Sequence, residues 1–161
     1  MSAPTSSPST PLAGASFTGP AAAHEAIRET IGHYIEGLRA GDVERLRLGF
    51  HEQAIMCGYL GETPYVTPIE GLYEFVRSTP APAQTGEAYR VDVTEIRVSG
   101  DTATVEVAEK LYLGHDFRTS FHLMKLDGRW WMVSKLFNAL PPQATDPAGC
   151  PEPGRSSHAG G

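Results

Sequence analysis

The residues of this chain that could do chemistry are few and stand apart along the sequence. Its six histidines and two cysteines are scattered, and none of them falls into the CxxC, HxH or HExxH spacing that binds metal ions. The nucleophile motif GxSxG does not occur, and Cys57 has no evident neighbour that would activate its thiol. Glu109 and Lys135 are the best remaining candidates because the residues two and four positions away along each predicted strand are apolar, so each shares an otherwise apolar face. The sequence therefore predicts acid and base chemistry with no metal ion and no organic cofactor.

Histidines supply two further candidates. His115 and Asp116 are adjacent in a predicted turn at the strand ends, where a carboxylate could orient the imidazole as an acid and base. His51 follows the second predicted helix, and we expect it to bond to a loop carbonyl rather than to act on a ligand.

Two helices are predicted at the start of the folded part. Apolar residues recur at spacings of three and four within residues 22–40, namely at Ile27, Ile31, Tyr34, Ile35 and Leu38. This amphipathic helix ends at Gly41, because glycine readily adopts the left-handed conformation of a C-terminal cap. Asp42 is a good N-cap for a second, shorter helix with an apolar stripe of Val43, Leu46 and Phe50.

A short strand and a third helix follow. Residues 54–59 form an apolar run bounded by glycines, and its length favours a strand over a helix. Thr67, Pro68 and Glu70 have the spacing of a capping box with proline at the first helical position. They predict a third helix that ends near Pro80.

From residue 88 onward the apolar residues alternate, which is the period of β-strands. The alternation predicts four strands, at residues 88–98, 102–113, 116–126 and 129–138. Asp127-Gly128, between the last two, is a strong signal for a two-residue hairpin. Helices followed by an antiparallel meander predict an α+β fold.

Length and composition favour one domain between disordered ends. The chain has 161 residues, and we expect its folded unit to span residues 21–140. Residues 1–20 and 141–161 are rich in Pro, Gly, Ser, Ala and Thr. Such segments are too poor in apolar side chains to offset the entropy of ordering, so both are predicted to be disordered.

Charge and hydropathy argue against several kinds of partner. The net charge is −6 without a cluster of Lys or Arg, which argues against nucleic acid. No segment approaches the apolar length that a membrane helix needs, and the first residues lack the basic start and apolar run of a secretory signal. Cys57 and Cys150 lie in such different settings that we expect no disulfide between them, and a cytoplasmic protein.

Three short segments carry a resemblance to a known family. They are residues 34–42, YIEGLRAGD; Phe50-His51; and residues 126–130, LDGRW. Together with the order of the predicted elements, they resemble the nuclear transport factor 2-like superfamily, which includes SnoaL-like proteins and ketosteroid isomerases, and most of all its branch labelled lumazine-binding. The resemblance implies a cone in which three N-terminal helices pack on a curved antiparallel sheet around a pocket for a small molecule. It also implies a homodimer through the convex face of the sheet, toward which His122 points.

Alignment with ketosteroid isomerases through the Gly41-Asp42 corner retains one of their three catalytic elements. The resemblance places Tyr34 at the oxyanion-hole tyrosine, Gly58 at the general-base aspartate, and Phe121 at or near the protonated acid. That isomerisation needs a carboxylate to move the proton and a second donor to hold the enolate. The chain is therefore not expected to be a ketosteroid isomerase.

The same alignment sets which side chains of the last three strands face the pocket. Three of them are polar, Glu109, Thr119 and Lys135. The expected apolar contacts to a substrate are Val107, Leu111, Phe117, Phe121, Trp131, Val133 and Phe137. Tyr59 and Tyr73 add phenols. A slip of one residue would reverse the face, so Glu109 and Lys135 could instead form an ion pair at the open end of the sheet or at a dimer interface, and Tyr34 could be a core phenol.

Two functions follow from these residues. The first is a cofactor-independent enzyme of secondary metabolism, a cyclase, dehydratase or isomerase that acts on a small, mostly apolar metabolite. Its catalytic candidates are Tyr34, Glu109 and Lys135, with His115 and Asp116 beside them. The alternative is a non-catalytic domain that binds a small ligand or forms a dimer, which the missing aspartates favour. A weaker third possibility is a domain that docks partners through its Pro-rich ends.

Overall fold

The computed structural model of the chain describes residues 19–141. Its helices are α1 Pro20–Ala40, α2 Val43–Arg47, α3 Glu70–Ser78 and α4 Pro82–Thr85. Its strands are β1 Phe50–Leu60, β2 Thr63–Pro68, β3 Arg90–Ser99, β4 Thr102–Tyr112, β5 His115–Leu126 and β6 Arg129–Ala139. The predicted α+β class is confirmed. Cys150 and nearly all of the two predicted disordered segments lie outside the described residues, so those predictions stay predictions.

The strands form one curved sheet in the order β2-β1-β6-β5-β4-β3. All neighbouring pairs are antiparallel except β1 with β6, which is parallel. The sheet is therefore mixed rather than wholly antiparallel, because the chain enters it at β1, leaves for α3 and α4, and returns beside β1 only at its last strand. The concave face packs on α1 and α3 and holds the core.

The corner between the first two helices forms as its sequence predicts. Gly41 takes the left-handed conformation, with φ of 67°, which costs glycine little because it has no Cβ. Asp42 then accepts a hydrogen bond from the backbone N–H of Arg45 at 3.1 Å and begins α2. This corner fixes the direction of α1, whose buried face carries Ile31 and Tyr34.

The segment before α3 differs from the prediction. Thr67 and Pro68 belong to β2, where they pair with Met56 and Ile55 of β1, so the capping box does not form. The helix begins at Glu70 instead, after Ile69, and has no side-chain cap. The sequence signal was wrong here because pairing with a neighbouring strand satisfied the backbone of these residues.

One β-bulge in β4 and one in β6 change the alternation of side chains along those two strands. In β4 the register shifts after Glu109, and Leu111 has φ of 57°. In β6 the partners of β5 skip Val133, since Leu123 pairs with Met132 and His122 with Ser134. A bulge inserts one residue and so reverses the face of everything beyond it. The buried positions of β6 are consequently Trp130, Met132, Lys135 and Phe137.

Candidate functional site

A cavity of about 660 Å³ opens between the helices and the concave face of the sheet. We call it the cone cavity. Its walls are Tyr34, Leu38, Met56, Leu60, Tyr65, Thr67, Gly71, Leu72, Glu74, Phe75, Ser78, Tyr112, Leu113, His115, Phe117, Lys135 and Phe137. Most of these side chains are apolar or aromatic, as is typical of sites for small organic molecules. The volume lies in the range of ordinary ligand pockets.

Glu109 lies next to the cavity, in a cluster of hydroxyl groups. Its carboxylate is buried, with 2% of the residue exposed. Oε1 accepts hydrogen bonds from the hydroxyls of Tyr34 and Tyr89, each at 2.8 Å, and Oε2 accepts one from Thr119 at 2.5 Å. Three donors compensate the carboxylate for the loss of water. We call these four residues the Glu109 cluster.

Tyr34 is the one member of the Glu109 cluster that also lines the cone cavity. Its ring packs edge-on against Phe121, with centroids 4.8 Å apart, and against Phe50 at 6.0 Å. Burial, and then the charge of Glu109, raises the pKa of Tyr34 well above its ordinary value. The phenol is therefore a hydrogen-bond donor that resists ionisation.

Lys135 contributes the amine of the cavity. The residue is 6% exposed, and its Nζ lies 4.3 Å from the ring centroid of Phe137 and 5.7 Å from that of Tyr34. The ion pairs formed within residues 19–141 do not include it. Burial lowers the pKa of Lys135 to about 8, although the charges of Glu109 and Cys57 act in the opposite direction. The predicted direct pair of Glu109 and Lys135 is absent, and the hydroxyls of the cluster take its place.

The structure brings several of the predicted site residues together. Tyr34, His115, Phe117, Lys135 and Phe137 line the cone cavity. Behind this wall, three further predicted residues are buried in the core, Val107, Thr119 and Phe121. In β5 and in the first part of β4, the side chains on the concave face of the sheet are therefore the predicted ones.

Other predicted contacts face elsewhere. The bulge in β4 turns Leu111 outward, where it is 40% exposed, and Tyr112 takes its place in the wall. The bulge in β6 leaves Val133 half-buried and unpaired. Tyr59 is 52% exposed, because alternation in β1 buries Gly58 instead. These three expectations are corrected.

Trp131 and Tyr73 belong to a second, more polar cavity of about 440 Å³. The guanidinium of Arg47 lies 4.6 Å from the Tyr73 ring centroid, and that of Arg129 lies 3.8 Å from the Trp131 ring centroid. Trp131 precedes the β6 bulge and so falls on the opposite face from Lys135. Neither aromatic residue lines the cone cavity, in contrast to the prediction.

The predicted dyad of His115 and Asp116 does not form. Asp116 accepts hydrogen bonds from Lys110 Nζ at 2.8 Å and from the backbone N–H of Leu111 at 3.1 Å. Both bonds lower the pKa of its carboxyl group. Adjacent residues of a strand point to opposite faces, so His115 stands at the rim of the cone cavity without this carboxylate.

His51 and His122, the other two histidines considered in the sequence, make contacts within the fold. His51 Nδ1 accepts a hydrogen bond from the backbone N–H of Gln53 at 3.1 Å, so its partner is an N–H group rather than a carbonyl. His122 is exposed and shares a 2.8 Å hydrogen bond with Ser134 Oγ. Neither lines the cone cavity.

Two tyrosines at or beside the cavity, Tyr89 and Tyr112, were not predicted from the sequence. Tyr89 lies in the predicted strand 88–98, whose pocket-facing side was not assigned, and its hydroxyl donates to Glu109. Tyr112 lines the cavity only because of the β4 bulge, and burial raises its pKa to about 12. For Tyr112, its closeness to Glu109 in the sequence was a signal that could have found it.

Gly58 explains why no base stands at the position of the isomerase aspartate. A Cβ at this residue would lie 2.0 Å from the carbonyl oxygen of Phe137. Any side chain here would displace β6, so the position is restricted to glycine. A buried carboxylate lies next to the cone cavity on another strand, at Glu109.

Within residues 19–141, no group of three or more His, Cys, Asp or Glu side chains is placed to hold a metal ion. Over the same residues, no helix has the length and apolar character to span a bilayer.

The sequence matches, over residues 22–138, the family described as "Putative lumazine-binding". The chain belongs to this family. Solved structures place it in the nuclear transport factor 2-like superfamily, as the resemblance implied. One is a protein of unknown function from Shewanella baltica, 26% identical, with a TM-score of 0.71, 77% of this chain covered and 98% of the other. Another, from Methylobacillus flagellatus, also of unknown function, has 26% identity and a TM-score of 0.71, with 80% and 100% covered.

A relative with a named activity comes from Cladobotryum sp. It is named aldolase FrzH and is 26% identical over 119 residues, which cover 73% of this chain and 92% of the relative. The family and the fold together indicate a domain that binds or transforms small molecules.

Proposed function

We propose that this protein is a cofactor-independent acid and base enzyme that acts on a small, mostly apolar carbonyl compound. The reaction belongs to the cyclase, dehydratase, isomerase or related lyase types, all of which can pass through an enolate. One observation carries the proposal: Tyr34 connects the buried Glu109 carboxylate to an apolar cavity that also contains the Lys135 amine.

Proton transfer runs through Tyr34. Its oxygen accepts the proton from the carbon next to the carbonyl while its own proton passes to Glu109 Oε1, 2.8 Å away. The raised pKa of Tyr34 disfavours a free phenolate, and coupling the two transfers avoids one. The reverse sequence returns the proton to carbon or to a leaving hydroxyl group.

Lys135 stabilises the negative charge that develops on the carbonyl oxygen. As an ammonium group in an apolar wall, it interacts with an enolate more strongly than it would in water. The hydroxyl of Tyr112, which lines the same cavity, is available as a second hydrogen-bond donor. The two groups assume the role of an oxyanion hole.

The relative from Cladobotryum supports this reaction class through its name. An aldol reaction makes or breaks a carbon–carbon bond next to a carbonyl, and it requires the same enolate-like species as the isomerisation and dehydration of carbonyl compounds. The name is that of a protein with 26% identity. It supports the kind of chemistry and leaves the substrate of this chain to experiment.

Two tyrosines offer a matched test. Tyr34 and Tyr89 donate to the same Glu109 oxygen at the same distance, but Tyr34 alone of the pair lines the cavity. The assays are deuterium exchange at the carbons next to the carbonyl of cyclohexanone, followed by NMR, and cleavage of a β-hydroxyketone that releases a fluorescent naphthaldehyde. Tyr34→Phe and Glu109→Gln should each lower the rate at least about 100-fold, whereas Tyr89→Phe should stay within about tenfold of the wild type. Equal rates in Tyr34→Phe and Tyr89→Phe would contradict the relay.

A second function, binding without catalysis, is favoured by the saturation of Glu109. Its three hydroxyl donors would also suit a purely structural carboxylate. Native mass spectrometry of the protein purified from its producer separates the two functions. An enzyme should carry a ligand that Tyr34→Phe and Glu109→Gln hold in unconverted form. A binding protein should carry the same ligand in all three.

The homodimer belongs to this proposal as well. The convex face of the sheet carries exposed apolar side chains, among them Ile55, Met124 and Leu136, which are 48%, 41% and 51% exposed. Apolar groups in such a patch are typical of interfaces. Light scattering should give the mass of two chains, and Leu136→Glu should give the mass of one.

A further inference from the structure

We propose that the Nζ of Lys135 forms an imine with the carbonyl carbon of a small, mostly apolar aldehyde or ketone in the cone cavity. This deepens the proposed function and rests on it, because it names the group that holds the carbonyl. The proposal adds covalent chemistry that the acid and base relay does not require.

The position of Lys135 in the sheet directs its amine at a ligand. The residue lies in the middle of the concave face, between Met56 of β1 and Phe121 of β5. The bulge at Val133 places it there, because without this bulge the alternation from Met132 would turn residue 135 to the convex face. The side chain is almost fully buried and yet lines the cavity.

The surroundings of the amine increase its neutral, nucleophilic fraction above that of an exposed lysine. Within residues 19–141 no carboxylate comes within ion-pair distance of it, and Nζ lies over the rings of Phe137 and Tyr34 instead. Desolvation without a counter-ion disfavours the ammonium form, in line with the pKa of about 8. A desolvated lysine in an apolar pocket is the usual arrangement for imine formation.

The imine step balances without any further reagent. The neutral amine attacks the carbonyl carbon, the electron pair of the C=O bond moves to oxygen, and a proton passes from nitrogen to oxygen to give a carbinolamine. Loss of water then leaves the C=N bond. One amine and one carbonyl thus give one imine and one water, and nothing is oxidised or reduced.

The Glu109 cluster then completes a carbon–carbon cleavage. In a β-hydroxy carbonyl substrate, the imine nitrogen first takes a proton from water, which the final hydrolysis returns. The protonated imine then accepts the electron pair of the breaking bond between the α and β carbons. The hydroxyl proton passes through Tyr34 to Glu109, which are 2.8 Å apart, and an aldehyde leaves. The resulting enamine regains a proton at carbon, and water releases the ketone and the amine of Lys135.

The composition of the chain makes the imine simple to locate. The sequence contains three lysines, at positions 110, 125 and 135. Lys110 is paired with Asp116 at 2.8 Å and is 44% exposed, and Lys125 is half-buried near the end of β5. Both therefore serve as internal controls for the reactivity of a lysine amine.

The test is reductive trapping of the full-length protein with benzaldehyde or cyclohexanone and sodium cyanoborohydride near neutral pH. Intact mass and peptide mapping then report how many groups are added and where. Label should reach Lys135 at least about tenfold faster than Lys110 or Lys125, because a larger fraction of its amine is neutral. Lys135→Met should lose the fast phase and Lys125→Met should keep it. Label spread evenly over the three lysines and the N-terminal amine, or label on Lys135 no faster than in urea-unfolded protein, would overturn the proposal.

The two proposals can fail separately. If Lys135 stays unlabelled while deuterium exchange remains sensitive to Tyr34→Phe, the imine is wrong and the acid and base enzyme stands. If Lys135 is labelled but no exchange or cleavage occurs, the imine site is correct and the proposed catalysis is wrong. Mapping on the wild type decides the case even if Lys135→Met does not fold.

Discussion

Replacing Lys135 by methionine removes a buried amine and keeps a flexible, apolar side chain of similar length. In the folded protein the pKa of Lys135 is lowered to about 8 from an ordinary value of 10.5, first of all by burial. Between these two values the unfolded chain binds a proton that the folded chain does not. The free energy of unfolding of the wild type should therefore rise with pH through this window.

The size of the effect follows from the two pKa values. Each pKa unit corresponds to about 1.4 kcal/mol. The free energy of unfolding should therefore be about 3 kcal/mol higher where Lys135 is neutral in both the folded and the unfolded chain than where it is charged in both. That contribution is absent below pH 8 and complete above the unfolded pKa of 10.5. From about pH 7 to about pH 9.5 the wild type should gain about 2 kcal/mol relative to Lys135→Met.

The buried tyrosines set the upper end of the usable window. Burial raises the pKa of Tyr73 and of Tyr112 to about 12 from 10.0. A raised folded pKa gives stability that is lost as pH climbs past the unfolded value. Above about pH 10 these phenols would oppose the lysine effect, so the comparison ends below that pH.

Urea denaturation of both proteins across this window, followed by tryptophan fluorescence, measures the difference directly. Lys125→Met is the matched control, because Lys125 is half-buried outside the cone cavity, and its pH slope should follow that of the wild type. A stability difference between the wild type and Lys135→Met that stays constant with pH would refute the assignment of a desolvated amine to Lys135.

Three other predictions concern the Glu109 cluster and the backbone. Tyr34→Phe and Tyr89→Phe should each lower the free energy of unfolding by about 1–3 kcal/mol, since each removes one hydrogen bond to a buried carboxylate; a gap above about 2 kcal/mol between them in urea denaturation would contradict this equivalence. Gly58→Ala should lower it by more than about 3 kcal/mol, because its Cβ would lie 2.0 Å from the Phe137 oxygen, and an unchanged melting temperature would argue against that close approach. Leu111→Gly should raise it by about 1 kcal/mol by relieving a φ of 57°, with unchanged binding in the cone cavity; a loss of stability would mean that the exposed leucine makes contacts of its own.

Local signals predicted α1, its cap, the start of α2 and the last hairpin, but Phe50, predicted on the stripe of the second helix, lies in β1. The stripe of α1, the left-handed Gly41 and the Asp42 cap each depend on neighbours a few residues away, and each is confirmed. The Asp127-Gly128 hairpin also forms as predicted, with φ of 50° and 76° at its two residues. Such features are decided by backbone sterics and local hydrogen bonds, so the residues next to them in the sequence are enough to predict them.

Alternation alone placed part of the cavity wall and failed where strands bulge. Phe117 and Phe137 face the cavity as expected, but Leu111 and Trp131 do not. A bulge depends on how two strands fit together, and either strand alone still reads as a regular alternation. The expectation for Lys135 was correct in spite of this, because Lys135 and Phe137 both lie beyond the bulge and share one face, whereas Trp131 lies before it.

By itself the sequence determined the fold class, the corner between the first helices, the meander and the presence of a buried carboxylate and amine in an apolar setting. Only the tertiary structure decided which groups meet. Tyr34, Tyr89 and Thr119 come from three separate segments to satisfy Glu109, and no carboxylate among the described residues forms an ion pair with Lys135. Desolvation of a charge is a property of the packed cavity, and no spacing of residues along the chain specifies it. The chemistry proposed for Lys135 depends on that packing.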